Sequence, residues 1–172
     1  VEFEVLHALP QAVHAVFRSD NALARKSTLR LRDCISQKLA LPSSQYGVRH
    51  LLELAAKRKG QTLSPVVETE SFELIRHFIS HENAVGFQIP IGLNPDEQPG
   101  MAHRPIAELD VPAGRLLLGQ KKGRVLPVAS AKFTQQFVRM LSDAAPYAID
   151  LKDTVEQLGV AKRRIYDITN VL

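Results

Sequence analysis

The sequence predicts an α/β domain followed by a small all-α unit, and three observations carry that reading. Apolar runs of strand length alternate with repeats of helical period from Gln11 to Gln120. The two clearest helical repeats span 10 to 12 residues, and each sits between strand-like runs. The last 24 residues, Ile149 to Leu172, hold two short periodic runs split by Gly159. Strands alternating with such helices form βαβ units, and therefore a mostly parallel sheet.

Taken in order, Gln11 to Arg18 reads as a largely buried strand and Asp20 to Lys26 as a polar turn. Leu29 to Ile35 predicts a short helical turn, and Lys38 to Pro42 a second strand. Ser43 to Gly47 is a polar loop that opens a helix from about Val48 to Lys59, and Gly60 stops it. Leu63 to Thr69 reads as a third strand, in which Pro65 demands an edge or the first position. Ser71 to Ser80 predicts a helix with Phe72, Ile75, Phe78 and Ile79 on one side. Ala84 to Gly92 is a nearly all-apolar fourth strand, and Asn94 to Gly100, with two prolines and a glycine, is a loop. His103 to Leu109 and Gly114 to Gln120 make two further strands.

Composition narrows the class. A chain of 172 residues with 45% hydrophobic content can bury one substantial core and a small second unit. No apolar run reaches the ~18 residues a membrane helix needs. No secretory signal opens the chain, and a start at Val1 predicts a fragment or a processed end. The single cysteine, Cys34, excludes an internal disulfide and fits a reducing, intracellular compartment. A net charge of +4 and a pI near 9.4 are compatible with nucleic acid.

The C-terminal stretch carries the most specific pattern. Asp150 caps a short helix with Leu151, Val155 and Leu158 at i, i+4 and i+7, and Gly159 ends it. A second run follows with Val160, Ile165, Ile168, Val171 and Leu172. This is a helix-turn-helix, with Lys162, Arg163 and Arg164 in the first turn of the helix that would enter a major groove. Paired arginines there suit guanine O6 and N7, whereas a solvated charged helix accounts for the same spacing equally simply. Around them Lys152, Lys162, Arg163 and Arg164 balance Asp150, Asp153, Glu156 and Asp167.

The wording of that stretch goes further than its spacing. RRIYDITNVL, Arg163 to Leu172, closely resembles the recognition helix of the E-two-F/DP family of eukaryotic cell-cycle transcription factors. The family's Arg-Arg-x-Tyr-Asp-Ile signature stands here as Arg163, Arg164, Tyr166, Asp167 and Ile168. The preceding DLKDTVEQLGVAK resembles that family's second helix and turn, and Phe133 to Ala144 more loosely its first. The resemblance implies that Arg163 and Arg164 read guanines of a G/C-rich site in double-stranded DNA, and contact chemistry then predicts Lys162 and Tyr166 on phosphates. That family continues into a β-wing and a dimerisation segment, and the match stops before both.

Sheets of the predicted kind bind ligands at the carboxyl ends of their strands. Ser43, Ser44 and Gln45, with the amides up to Val48, form a polar helix N-terminus suited to an anion. Thr69, Glu70 and Ser71 form a second such junction; ordinary helix capping is the plainer reading of both. The order and spacing of three segments resemble the effector-binding domain of LysR-type transcriptional regulators. They are DNALARKSTLRLRDCISQKLALPSSQYGVRHLLE, PVVETESFELIRHFISHENAVGFQIPIG and GRVLPVASAKF, within residues 1 to 135. The resemblance implies a partial periplasmic-binding-protein-like subdomain holding a small organic effector. Its matching loops are Ser43 to Gly47, Thr69 to Ser71, and Phe87 to Pro90, which includes Gln88. Nearly all of that family's first subdomain and its own helix-turn-helix have no counterpart here.

The expectation is therefore an effector-like α/β domain over residues 1–130 joined to a helix-turn-helix over 131–172. The helix at Ala131 to Ala144 is common to both resemblances. Such a chain reads as a chimera of two transcriptional regulators, natural or engineered, forming a homo- or heterodimer. It is cytoplasmic if bacterial, and nuclear if the C-terminal resemblance governs. The opposing reading is a ligand-binding or scaffold module that does not bind DNA. No enzyme, cofactor, metal or membrane role is expected. His77 and His81 have the i, i+4 spacing of metal ligands without a third group, Cys34 has no identifiable histidine, and Gly119 to Arg124 lacks the spacing of a phosphate loop.

Overall fold

The computed structural model describes residues 2–90, 93, 99–123, 135, 136, 138–140 and 143. Strand β1 (Phe3–Gln11) is followed after two residues by β2 (His14–Arg18), and a 3-10 turn at Ala22–Arg25 leads to helix α1 (Leu31–Ile35). Next come β3 (Leu39–Pro42), α2 (Gly47–Arg58), β4 (Pro65–Thr69), α3 (Phe72–Glu82) and β5 (Gly86–Gln88). Strands β6 (Met101–Pro105) and β7 (Gly114–Lys121) complete the described elements. By internal contacts the chain divides into Pro10–Arg115 and a second unit made of Val1–Leu9 and Leu116–Leu172.

Within Pro10–Arg115, β2 lies between β5 and β6 and β3 pairs with β4, while a bridge from Leu39 to Val85 joins the two sheets. The strand order is thus β4-β3-β5-β2-β6. Side chains alternate with period two between two cores. Ala15, Phe17, Leu39, Leu41, Val85 and Phe87 enter the first, with Leu31 and Cys34 of α1 and Leu52, Ala55 and Ala56 of α2. Val16 and Ala40 enter the second, with Ile75 and Ile79 of α3. The sheet is therefore covered on both faces, which explains its nearly continuous apolar strands.

The crossover rule accounts for this layering. The connection β3-α2-β4 steps outward to the sheet edge, and β4-α3-β5 returns past β3 to its other side. Right-handed crossovers in opposite directions put their helices on opposite faces. Helix α3 begins where Ser71 accepts a hydrogen bond from the Leu74 amide at 3.2 Å, and it ends at Asn83 in the left-handed region, φ 49°. Gly60, at φ 65°, turns the chain after α2.

Several expectations need correction. The sheet is mixed, since β2 runs antiparallel to both β5 and β6, whereas β3 runs parallel to β4 and meets β5 through the parallel Leu39–Val85 bridge. Helix and strand alternate only from β2 to β5. The two residues between β1 and β2 cannot form a crossover, so no helix sets the direction of β2. The strand expected at Gln11 to Arg18 is β2 alone, and Phe3–Gln11 forms a separate strand. Strand β1 escaped notice because Phe3 and Val5 are exposed and Pro10 interrupts its pattern. The polar turn at Asp20 to Lys26 contains the Ala22–Arg25 turn, capped by Asn21, which accepts from the Leu23 amide at 3.0 Å. The fourth strand shortens to β5 with the Val85 bridge, and β6 ends at Pro105 before a turn through Asp110. Pro65 does open an edge strand, as its missing donor requires.

In the second unit β1 pairs with β7, and the Lys122 amide donates to the Glu2 carbonyl at 3.0 Å. The backbone is helical at the described positions between 135 and 143, where Val138 is buried.

Candidate ligand-binding site

Three strand ends assemble one edge of the sheet. The parallel register sets Pro42 beside Thr69, and Val85 beside Leu39 carries Gln88 to the same end. Antiparallel pairing then places His14 opposite both Gln88 and Pro105. From β3 the chain turns to α2 on one face, and from β4 to α3 on the other. Loops that diverge in this way leave a crevice outside adjacent strands, the usual ligand position in open α/β sheets.

Ser43, Ser44, Gln45, Thr69 and Ser71 all lie at or just beyond the carboxyl ends of β3 and β4. The Ser43 amide extends the ladder by donating to the Thr69 carbonyl at 3.2 Å. Gln45 donates from Nε2 to Glu70 Oε1 at 3.1 Å, and the Tyr46 hydroxyl donates to the Glu70 carbonyl at 3.1 Å. Tyr46 also meets Phe72 edge-on, with ring centroids 5.2 Å apart, so the N-termini of α2 and α3 converge. Their chemistry differs. Ser71 caps α3, and Thr69 Oγ1 accepts from the Ser71 amide at 3.2 Å, so both serve as local caps.

Helix α2 has no side-chain cap, because its N-cap position is Tyr46. The amides of Gly47, Val48 and Arg49 meet no acceptor among the described residues. Ser43 Oγ is buried and likewise without a partner. Arg49 stands within this first turn, buried, donating to Glu53 Oε1 at 2.7 Å, Glu68 Oε2 at 3.1 Å and the Pro42 carbonyl at 3.3 Å. Free amides, a helix dipole and an idle hydroxyl together form a setting for an anionic group. Gln88 stands one strand away, beside His14.

His14 carries no functional signal in the sequence. Its Nδ1 lies 3.0 Å from Nδ1 of His103, so one ring donates N–H and the other accepts. Burial, and then the neighbouring His103, lower the His14 pKa from 6.5 to about 4. Burial, then Arg104, also lowers that of His103. Two histidines 89 positions apart leave no spacing signal; only the β2–β6 register joins them. A depressed histidine pKa means that the unfolded chain takes up protons first as pH falls. Stability is therefore complete above pH ~6.5 and declines toward pH ~4, by an order of 2 kcal/mol. In urea titrations across that range, His14→Gln should flatten the decline. An unchanged pH profile in the variant would show that the pair is not the cause.

The other candidates separate cleanly. His77 and His81 stack with ring centroids 4.1 Å apart, and His81 Nδ1 lies 2.8 Å from the His77 carbonyl. Among the described residues no group of three or more metal-ligating side chains occurs. Cys34 is fully buried, and burial pushes its thiol up to about 12, where it is not a nucleophile at neutral pH. Lys122 and Gly123 form a turn after β7. No helix among the described residues is long and apolar enough to cross a membrane. Lys162, Arg163, Arg164 and Tyr166 lie outside the described residues.

Comparison with known proteins matches two families. The LysR substrate binding domain matches residues 2–142, and the E2F/DP family winged-helix DNA-binding domain matches residues 131–172. The mouse (Mus musculus) Transcription factor E2F3 is 51% identical over 39 residues, 23% of this chain and 8% of that protein. Among solved structures, a LysR family transcriptional regulator from Pseudomonas aeruginosa, PA01 protein, superposes with a TM-score of 0.66 at 19% identity, over 81% of this chain and 48% of that one. The effector binding domain of QuiR in complex with shikimate gives 0.61 at 16% identity, over 80% and 65%. The regulatory domain of CcmR from Synechocystis PCC6803, in complex with 2-PG, gives 0.60 at 17% identity, over 81% and 66%. The chain thus spans about half to two thirds of these structures and a small fraction of the mouse protein.

Proposed function

Because the chain belongs to the LysR substrate binding domain family, we propose that its α/β part receives a small organic anion at the α2 N-terminus. Both matched families are domains of transcriptional regulators, which supports a role in transcription regulation. The uncapped amides of Gly47 to Arg49 beside the partnerless Ser43 hydroxyl carry the ligand reading. Ser43, Ser44 and Gln45 contact the anion, Thr69 and Ser71 shape the facing loop, and Gln88 closes the strand-end row. The complex of QuiR with shikimate, a carboxylate, supports this choice of ligand chemistry. The C-terminal segment, residues 131–172, supplies the DNA contact in the cell. There Arg163 and Arg164 read guanines of a G/C-rich duplex, and Lys162 and Tyr166 hold phosphates.

A panel of small carboxylates, shikimate among them, tests the ligand site by calorimetric titration. Gly47→Pro is the informative variant. Proline is tolerated at the first helical position, Tyr46 already has extended backbone at ψ 134°, and a Cβ at Gly47 meets nothing within 4 Å. It deletes one amide donor and leaves α2 intact. Affinity should fall about tenfold, as expected for one hydrogen bond to a charged acceptor, while the melting temperature holds. Loss of Ser43 in Ser43→Ala should act similarly. Saturable binding that ignores both variants would move the site elsewhere, and no binding by any carboxylate would remove the anion reading.

A further inference from the structure

We propose that the cationic pole where the N-terminus of α1 and the C-terminus of α2 meet at Asp110 is a second, sequence-independent contact for the phosphate backbone of duplex DNA. It rests on the DNA-binding reading above. Three element ends meet at this pole. Arg30, at the N-cap of α1, and Lys59, at the C-cap of α2, both bind the carboxylate of Asp110. Lys26, next after the Ala22–Arg25 turn, pairs with Asp33 of α1 at 2.8 Å. These pairs hold the three ends side by side and occupy Asp33 and Asp110.

Arg25, Arg32, Lys57 and Arg58 are left over at the same pole. All four are exposed, and none makes a hydrogen bond or ion pair among the described residues. Glu108, on the turn before Asp110, is the nearby exposed carboxylate that partly offsets them. The macrodipole explains cations at the C-terminus of α2, though not Arg32 as the second residue of α1, where the helix end is itself positive. A concentration of positive charge maintained against local repulsion suits a polyanion. Duplex DNA presents one phosphate charge per ~1.7 Å of axis, so flexible, unpaired cations can engage it without a fixed register. Helix α2, 12 residues long, sets its C-terminal cations Lys57 and Arg58 about 18 Å from its N-terminal amides. The two sites can therefore be altered separately.

The test is fluorescence anisotropy of the full chain on a duplex lacking any G/C-rich site, across a series of salt concentrations. Arg25→Gln, Arg32→Gln, Lys57→Gln and Arg58→Gln are combined in one variant. Each phosphate contact contributes about 0.9 to the slope of log affinity against log salt, so the variant should lose about 3.6 from that slope. Its thermal melt should match the parent, since these side chains make no bonds that hold the fold. Arg163→Ala/Arg164→Ala should instead abolish preference for a G/C-rich duplex and leave the pole's share of the slope. Preference that survives Arg163→Ala/Arg164→Ala, with the pole's share of the slope still lost in the quadruple variant, would sink the base-reading assignment alone. An unchanged slope in the quadruple variant would overturn the pole. Absence of duplex binding by the parent would overturn both, and binding of labelled polyglutamate in its place would assign the pole to an acidic polypeptide.

Discussion

Asp110→Ala should lower the stability of the α/β unit by about 3 kcal/mol. Its side chain is 2% exposed and accepts four hydrogen bonds. Two come from Arg30, at 2.8 and 2.7 Å, one from the Leu31 amide at 2.9 Å, and one from Lys59. Truncation leaves a buried amide at the start of α1 without an acceptor and releases α1 from α2. Arg30 and Lys59 are themselves partly exposed and return to water, which keeps the cost below that of stranding a buried charge. The Arg30 hydrogen bonds first, then Lys59 and the Leu31 amide, hold the Asp110 carboxyl well below the usual carboxylate range. Its contribution is therefore present above pH ~4 and disappears as pH falls below that. Urea midpoints of Asp110→Ala and Asp110→Asn, taken at pH 7 and at pH 3, check both statements. A midpoint at pH 7 equal to that of the parent would show that the turn is held by something else.

Gly86→Val should cost at least as much, by excess volume. An added Cβ at Gly86 would lie 2.8 Å from Ile79 Cδ1, 3.1 Å from Ile75 Cγ2 and 3.3 Å from the Ala40 carbonyl oxygen. Ile75, Ile79 and Ala40 are buried, so α3 rests against β5 at the one strand position that has no side chain. Alanine is the milder case, because the end of Ile79 can swing away, and about 1 kcal/mol is expected. Valine adds two methyl groups that must displace the helix or the Ala40 backbone, for about 3 kcal/mol. Thermal melting of the graded pair reads this directly. Equal melting temperatures for glycine, alanine and valine would mean that α3 does not approach β5 so closely.

Much of the fold was legible before any coordinates, and the reason is local. Helix α2 announces itself by Leu51, Leu52 and Ala55 and by Gly60; α3 by Ile75 and Ile79 and by Ser71; β3 and β5 by short apolar runs between them. Each signal lies within a dozen residues, and backbone sterics and burial act on it directly. The strand-end loops were legible for the same reason, since a strand followed by a polar junction and a helix is a pattern in sequence.

What remained hidden depends on pairing across distance. The mixed sheet follows from the direction of β2, which no crossover helix announces. The His14–His103 contact and the grip of Asp110 on Arg30 and Lys59 join residues that composition treats as unrelated. By itself the sequence determined the βαβ segment from β3 to β5, its two polar strand ends, and a C-terminal wording shared with a DNA-binding family. Only the tertiary structure decided which histidines touch, which cations are left unpaired, and which of two helix N-termini keeps its amides free. Hydrophobic periodicity is a property of neighbouring residues, whereas desolvation, ion pairing and hydrogen-bond satisfaction belong to groups that only folding brings together.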